Sequence, residues 1–195
     1  MTADATSPPV DEVRPGPSHW RRAVLAVALA SCLAVLGWFW RHPEAFDDAG
    51  GWGVGSDSWR VNAPMYVGMS YAQPDAEGTV RIHSVKAADL SAPSDAVIEF
   101  FVCTIDPDGD ASAIGAIGDP ISDACASLVP AEGAKLDLDA KPMQQLVVAM
   151  TLPTPGRLSM TGVDVTYSYG WRRGTQRIGG DIDLKAATRG ADGSG

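Results

Sequence analysis

An uninterrupted apolar stretch near the N-terminus constrains this chain more than any other feature. Residues Ala23–Trp40 contain no charged side chain, and only Ser31 and Gly37 fall outside the apolar set. As a helix the segment spans about 27 Å, close to the ~30 Å hydrocarbon core of a bilayer. A soluble core helix normally keeps one polar face, and this segment has none. We therefore predict a transmembrane helix over residues 23–40.

The charges on either side of this segment predict its orientation. Arg21 and Arg22 precede it, whereas acidic residues dominate the sequence just after it. Positive residues favour the cytoplasmic side, so we expect the N-terminus inside the cell and the C-terminal part outside it. Residues 1–22 are rich in proline and poor in large apolar side chains, which predicts a disordered cytoplasmic tail. The expected location is the cell membrane, crossed once.

Two alternatives to an uncleaved anchor remain open. The segment could be a cleaved signal peptide. The run Leu29-Ala30-Ser31-Cys32 also resembles the lipobox of bacterial lipoproteins, a family in which the cysteine becomes the lipidated N-terminus. We favour the anchor because no small-residue cleavage site follows, and because Trp38-Phe39-Trp40 is typical of an interfacial aromatic belt.

The charge distribution narrows the range of partners. The net charge of −9 belongs entirely to residues 41–195, since residues 1–22 carry equal numbers of basic and acidic side chains and residues 23–40 carry none. Nucleic acid is not an expected partner, because nucleic-acid-binding domains usually present a strongly basic face. The expected partners are the membrane lipid bilayer and either an envelope protein or an anionic polymer.

The C-terminal part of the chain has the pattern of an all-β domain. Glycines and aspartates over residues 41–60 predict a stalk. Residues 61–185 contain about seven short segments with apolar residues at alternate or successive positions, separated by Gly, Pro and Asp. These runs cover residues 65–71, 79–83, 96–105, 135–139, 146–152, 163–169 and 178–184. Residues 186–195 are expected to form a disordered C-terminal tail.

This pattern predicts a single antiparallel β-sandwich of immunoglobulin-like architecture behind the transmembrane helix. Only one stretch suggests a short helix, which Asp119 would cap and which would fall within Ile121–Val129. Cys103 and Cys125 both lie in the predicted exported domain, where a disulfide is favoured and adds roughly 2–4 kcal/mol. Cys32 lies in the membrane segment and need not pair.

A basic turn is the most distinctive candidate for ligand contact. It consists of Trp171, Arg172, Arg173 and Arg177. Guanidinium groups bind carboxylate or phosphate with two parallel hydrogen bonds, and a neighbouring Trp can stack on a ring or a partner side chain. We predict contact with an anionic ligand or partner: a lipid headgroup, a wall polymer or an acidic protein patch. The structural alternative pairs these arginines with Asp181 and Asp183 across a hairpin.

The other candidate chemistry is weaker. Asp106, Asp108 and Asp110 resemble the start of a calcium loop, but the Gly and Glu that the EF-hand pattern requires are absent, and an acidic turn is the alternative. No other metal and no cofactor is expected. His83 is the only histidine of the predicted domain and is interpreted as a solvated strand residue. No serine-hydrolase or penicillin-binding motif occurs, so no catalytic residue is assigned.

These features together predict a non-enzymatic binding or interaction module of the cell envelope. An accessory subunit of a membrane transport or envelope-assembly complex, acting through its transmembrane helix, is the alternative. An unrecognised envelope hydrolase is a third hypothesis, which would require a cleft with clustered carboxylates or a partnered His83.

Overall fold

The computed structural model describes residues 19–41, 44–46, 51–70 and 76–187. The predicted tails therefore fall almost wholly outside the described residues. The elements in chain order are helix α1 (His19–Arg41) and strands β1 (Gly53–Arg60), β2 (Met65–Gly68), β3 (Thr79–Ala87), β4 (Val97–Ile105), β5 (Ala116–Gly118), β6 (Cys125–Pro130), β7 (Lys135–Asp137), β8 (Gln144–Thr151), β9 (Gly156–Tyr169) and β10 (Arg172–Ala187). Helix α1 and the strands belong to two separate compact units.

From Ala23 to Trp40, helix α1 has no charged side chain on any side. None of the residues from Trp20 to Trp40 is buried, and their mean hydropathy is 2.2. Length and composition are sufficient for this helix to cross a membrane. The prediction of an N-terminal helix of this kind is confirmed, and the helix extends the apolar run at both ends.

The strands form two five-stranded sheets that share one hydrophobic core. Sheet 1 has the order β1-β10-β9-β3-β7, and sheet 2 has the order β5-β2-β8-β4-β6. Tyr167 and Leu158 of sheet 1 belong to the same buried cluster as Leu146 and Met150 of sheet 2. The predicted all-β domain with two sheets is therefore confirmed, and each of the seven predicted strand segments overlaps a strand.

Strand β1 falls inside the segment that the sequence assigns to a stalk. It pairs in parallel with β10, from Gly53 opposite Asp181 to Arg60 opposite Ala187. Its side chains Val54 and Trp59 pack against the core. Glycine and serine are poor strand formers and obscure the apolar alternation, so the segment has the composition of a linker. Residues 53–60 are part of the sheet, not of a stalk.

The short segment at residues 45 and 46, which precedes β1, also packs into the domain. Phe46 is fully buried, and its ring lies edge-on to Tyr167 with 5.2 Å between ring centroids. The Ala45 N–H donates to the Tyr167 hydroxyl at 3.0 Å, and this hydroxyl donates to Gln176 Oε1 at 2.8 Å. Burial raises the pKa of Tyr167 to about 12. The ordered domain therefore includes residues 45 and 46, well ahead of the predicted boundary at 61.

The predicted short helix is reduced to a single 3-10 turn, Ile121–Asp123. Its N-cap residue is Pro120 in an extended conformation, and no side chain caps the turn, so Asp119 does not have the predicted role. Strand β6 follows and pairs with β4. Over so few residues the apolar pattern of a helix and of a strand cannot be told apart, and pairing with β4 selects the strand.

A disulfide organises the outer face of sheet 2. The predicted bond between Cys103 and Cys125 is present, with 5.6 Å between their Cα atoms. Cys103 packs in a second buried cluster with Ile114 and Val147, on the side of β4 opposite Val102. The segment between β4 and β6 therefore covers this face of sheet 2. Along β9 and β10 of sheet 1, buried side chains that point to the core alternate with more exposed side chains on the outer face.

Replacing Tyr167 by Phe tests the junction at residues 45 and 46. The substitution leaves the buried Ala45 N–H without a partner and removes the hydrogen bond that Gln176 Oε1 accepts from Tyr167, so the free energy of unfolding should fall by about 1–3 kcal/mol. Guanidinium unfolding of the full chain in zwitterionic micelles measures it. Tyr169→Phe is the control, because the Tyr169 hydroxyl donates to the Glu77 carbonyl at an exposed site. Equal losses in the two variants would contradict this account of the junction.

Candidate functional site

Strand alternation separates the residues of the predicted basic turn. Trp171 lies at the tip of the β9–β10 hairpin with 67% of its surface exposed. Arg172 is half-buried, and its guanidinium carbon lies 5.9 Å from the centre of the Tyr169 ring. Arg173 and Arg177 are exposed and project to the opposite side, the outer face of sheet 1, because successive side chains of a strand alternate. The four residues therefore do not form one site.

Arg177 is an ion-pairing residue of the sheet surface. Its Nε lies 2.9 Å from Asp164 Oδ1, and its Nη1 lies 3.1 Å from Asp89 Oδ2. The hydrogen bond to Asp164 raises the pKa of the guanidinium further. With two carboxylates beside it, this arginine contributes little free positive charge.

The structural alternative, in which the arginines of the basic turn pair with Asp181 and Asp183 across the hairpin, is wrong. Strand β10 runs without a break from Arg172 to Ala187, so both aspartates lie on the same strand as the arginines. The residues across the hairpin belong to β9 instead. Asp183 pairs with Arg157 of β9.

Cross-strand register assembles a different set of basic residues on the outer face of sheet 1. Lys135 of β7 is opposite Arg81 of β3, and Arg81 is opposite Ser168 of β9. Ser168 is in turn opposite Arg173 of β10. Residues directly opposite each other in antiparallel strands project to the same side. We call this line of four side chains the cationic row.

The basic members of the cationic row are exposed and carry uncompensated charge. Within the described parts of the domain, no carboxylate forms an ion pair with Lys135, Arg81 or Arg173. On β7, Asp137 lies two positions beyond Lys135, opposite Thr79 of β3. Neighbouring strands of a sheet are about 4.8 Å apart, and three of these four strands carry a cation. The three charges create a local positive potential in an otherwise acidic protein.

His83 joins the row through its hydrogen-bond partner. It lies at an irregularity of β3 between Ile82 and Ser84, and its Nε2 is hydrogen-bonded to Ser168 Oγ. Desolvation, and then the charges of Arg173 and Arg81, lower the pKa of His83. The imidazole is therefore neutral at pH 7, and when Nε2–H donates to Ser168 Oγ the serine hydroxyl is available to donate to a ligand.

The chemistry of this arrangement is that of anion binding. Two guanidinium groups flank a hydroxyl, and all three can donate hydrogen bonds to an oxyanion above Ser168. His83 is half-buried and partnered by Ser168, so it is not the solvated residue expected from the sequence, and it meets one condition of the hydrolase hypothesis. A hydrolytic serine would also need a third group that orients the histidine and donors for the oxyanion intermediate. In the described structure the His83–Ser168 pair lies on the solvent-facing side of a sheet, between arginines.

The weak calcium candidate, Asp106, Asp108 and Asp110, lies in the loop between β4 and β5. The backbone N–H of Asp108 donates to Asp106 Oδ1 at 3.0 Å, which is the local bond of an acidic turn. Among the described residues, no group of three or more His, Cys, Asp or Glu side chains is arranged to hold a metal ion. This geometry favours the interpretation as a turn.

Comparison with known proteins yields no match to this chain among protein-family models, curated sequences or solved structures. Function must therefore be inferred from the chemistry of the site.

Of the four residues of the cationic row, only Arg173 is a candidate from the sequence. Arg81, Lys135 and Ser168 occupy outward positions of their strands, and the register that joins them links segments far apart in the chain.

The pKa of His83 tests the electrostatics of the row. We expect a pKa below the ordinary 6.5, because desolvation disfavours the charged imidazole and because protonation would add a charge beside Arg173 and Arg81. Proton NMR titration measures it, and Arg173→Ala should move the pKa upward whereas Arg157→Ala should not.

The lowered pKa of His83 also makes the stability depend on pH, because the unfolded chain binds this proton more readily. The free energy of unfolding should therefore fall as the pH drops below 6.5, and His83→Gln should abolish that part of the fall. A pKa above 6.5 in the unsubstituted protein would refute the assignment.

Proposed function

We propose that this protein is a single-pass membrane protein whose exported β domain binds an anionic component of the cell envelope through the cationic row. The observation that carries the proposal is the register that places Arg81, Ser168 and Arg173 side by side on the outer face of sheet 1, where neither arginine has an ion-pair partner among the described residues. The domain holds its ligand and catalyses no reaction.

The helix and its flanks support the membrane anchor. The apolar surface of residues 23–40 is suited to lipid on every side. Arg21 and Arg22 in the first turn of the helix favour a cytoplasmic N-terminus and an extracytoplasmic domain. The disulfide between Cys103 and Cys125 suits an oxidising compartment outside the cytoplasm.

The strand order supports an immunoglobulin-like sandwich. Strands β2, β8 and β4 are neighbours in sheet 2, as strands B, E and D are in immunoglobulin domains. Strands β3, β9 and β10 are neighbours in sheet 1, as strands C, F and G are. We propose that β5, β6 and β7 are an insertion between D and E. This insertion supplies Lys135 to the cationic row.

The surrounding charge gives the proposed site its selectivity. A protein of net charge −9 repels anions over most of its surface. The cationic row attracts them, so an anionic ligand binds in one place and orientation. Because the basic side chains are exposed, the binding should weaken as the salt concentration rises.

Calorimetry with anionic polymers tests the proposed function. The full chain in phosphatidylcholine nanodiscs is titrated with polyphosphate and, separately, with polyglutamate. We expect binding of at least one polymer, and Arg81→Ala/Arg173→Ala should weaken it about tenfold or more, because two charge-assisted contacts are lost.

Arg157→Ala is the matched control for this experiment. Arg157 is exposed on the same face at the opposite end of β9, where it pairs with Asp183. Removal of the Arg157 side chain should change the affinity for the polymer less than about twofold, because Arg157 lies far from the cationic row and its charge is already paired with Asp183. Loss of this exposed ion pair should also change the stability of the domain little. Failure of both polymers to bind, or equal weakening by the control and by the double variant, would refute the proposed site.

A further inference from the structure

One small anion cannot contact all the basic members of the cationic row. They occupy four consecutive strands, so the row is about 14 Å long. Arg81 and Arg173 stand on either side of Ser168 and can converge on an oxyanion above it. Lys135 lies beyond Arg81, away from Ser168. A single phosphate therefore uses the two arginines and leaves the lysine without a ligand.

The neighbouring positions define the direction in which a longer ligand can extend. Next to the row, Thr166 and Thr175 are opposite each other and their hydroxyls are 2.9 Å apart. One outward step further along β9 is Asp164, which pairs with Arg177. A polyanion that ran along the strands would approach this carboxylate, whereas one that crossed the strands would meet Lys135 next.

The donor set also favours phosphate over carboxylate. A planar carboxylate satisfies one guanidinium fork with its two oxygens. The Ser168 hydroxyl has a guanidinium group on each side, so the three donors approach a ligand from different directions. A tetrahedral phosphate has acceptor oxygens in several directions and can satisfy all three donors. A chain of phosphates then places the next group within reach of Lys135.

From this geometry we infer that the ligand is a polyphosphate chain that lies across strands β10, β9, β3 and β7. This inference deepens the proposed function and rests on it. Arg173 and Arg81 hold one phosphate above Ser168, and Lys135 holds a later phosphate of the same chain.

A chain-length series tests the inference on the full chain in phosphatidylcholine nanodiscs. Calorimetry with orthophosphate, tripolyphosphate and long-chain polyphosphate should show an affinity that rises at least about tenfold from the first to the last, as further cations are engaged. Lys135→Ala should lower the affinity for long-chain polyphosphate several-fold and leave that for orthophosphate unchanged. It should also reduce the slope of log affinity against log salt by about one.

Lys185→Ala is the matched control, because Lys185 is exposed at the far end of β10, opposite Arg157. It should leave every affinity unchanged. Orthophosphate binding as tightly as the polymer, with no effect of Lys135→Ala, would overturn the polymer inference and leave a single-anion site. Polyglutamate binding as tightly as polyphosphate would overturn the phosphate assignment. Absence of binding by all these anions would instead refute the proposed function itself.

Discussion

The hydrophobic core between the two sheets fixes which side chains of each strand point outward. Tyr167 is fully buried in it, and the next residue, Ser168, must then project outward. The same alternation buries Val80 and Ile82 and exposes Arg81 between them. A slip of one residue in any of these strands would bury charge, so the apolar core fixes the register that creates the cationic row.

The two outer faces of the domain differ because the described residues cover only one of them. On sheet 2 the segment between β4 and β6 packs over Cys103, with Ile114 in the same buried cluster, and the disulfide to Cys125 holds it there. On sheet 1 the outward side chains are charged or hydroxylated and exposed to varying degrees. A ligand face on an antiparallel sheet requires such an uncovered side, and the described domain provides it on sheet 1.

Local patterns were sufficient to predict much of this fold. The apolar helix, the seven strand segments and the pairing of Cys103 with Cys125 were all readable from short runs and cysteine positions. Strand β1 was missed because its burial comes from β10, which lies far along the chain. The cationic row was missed for the same reason, since Lys135, Arg81 and Arg173 become neighbours only through cross-strand register. The basic turn was visible in the sequence, but strand alternation divides it between two faces.

We propose that the strand register of sheet 1 creates one anion-binding site. Two-dimensional NMR of the isotope-labelled full chain in zwitterionic micelles, titrated with tripolyphosphate, tests this proposal. We expect the largest chemical-shift changes on four different strands, at Arg81, Lys135, Ser168 and Arg173. Changes confined to the hairpin tip at Trp171, or centred on sheet 2, would contradict it.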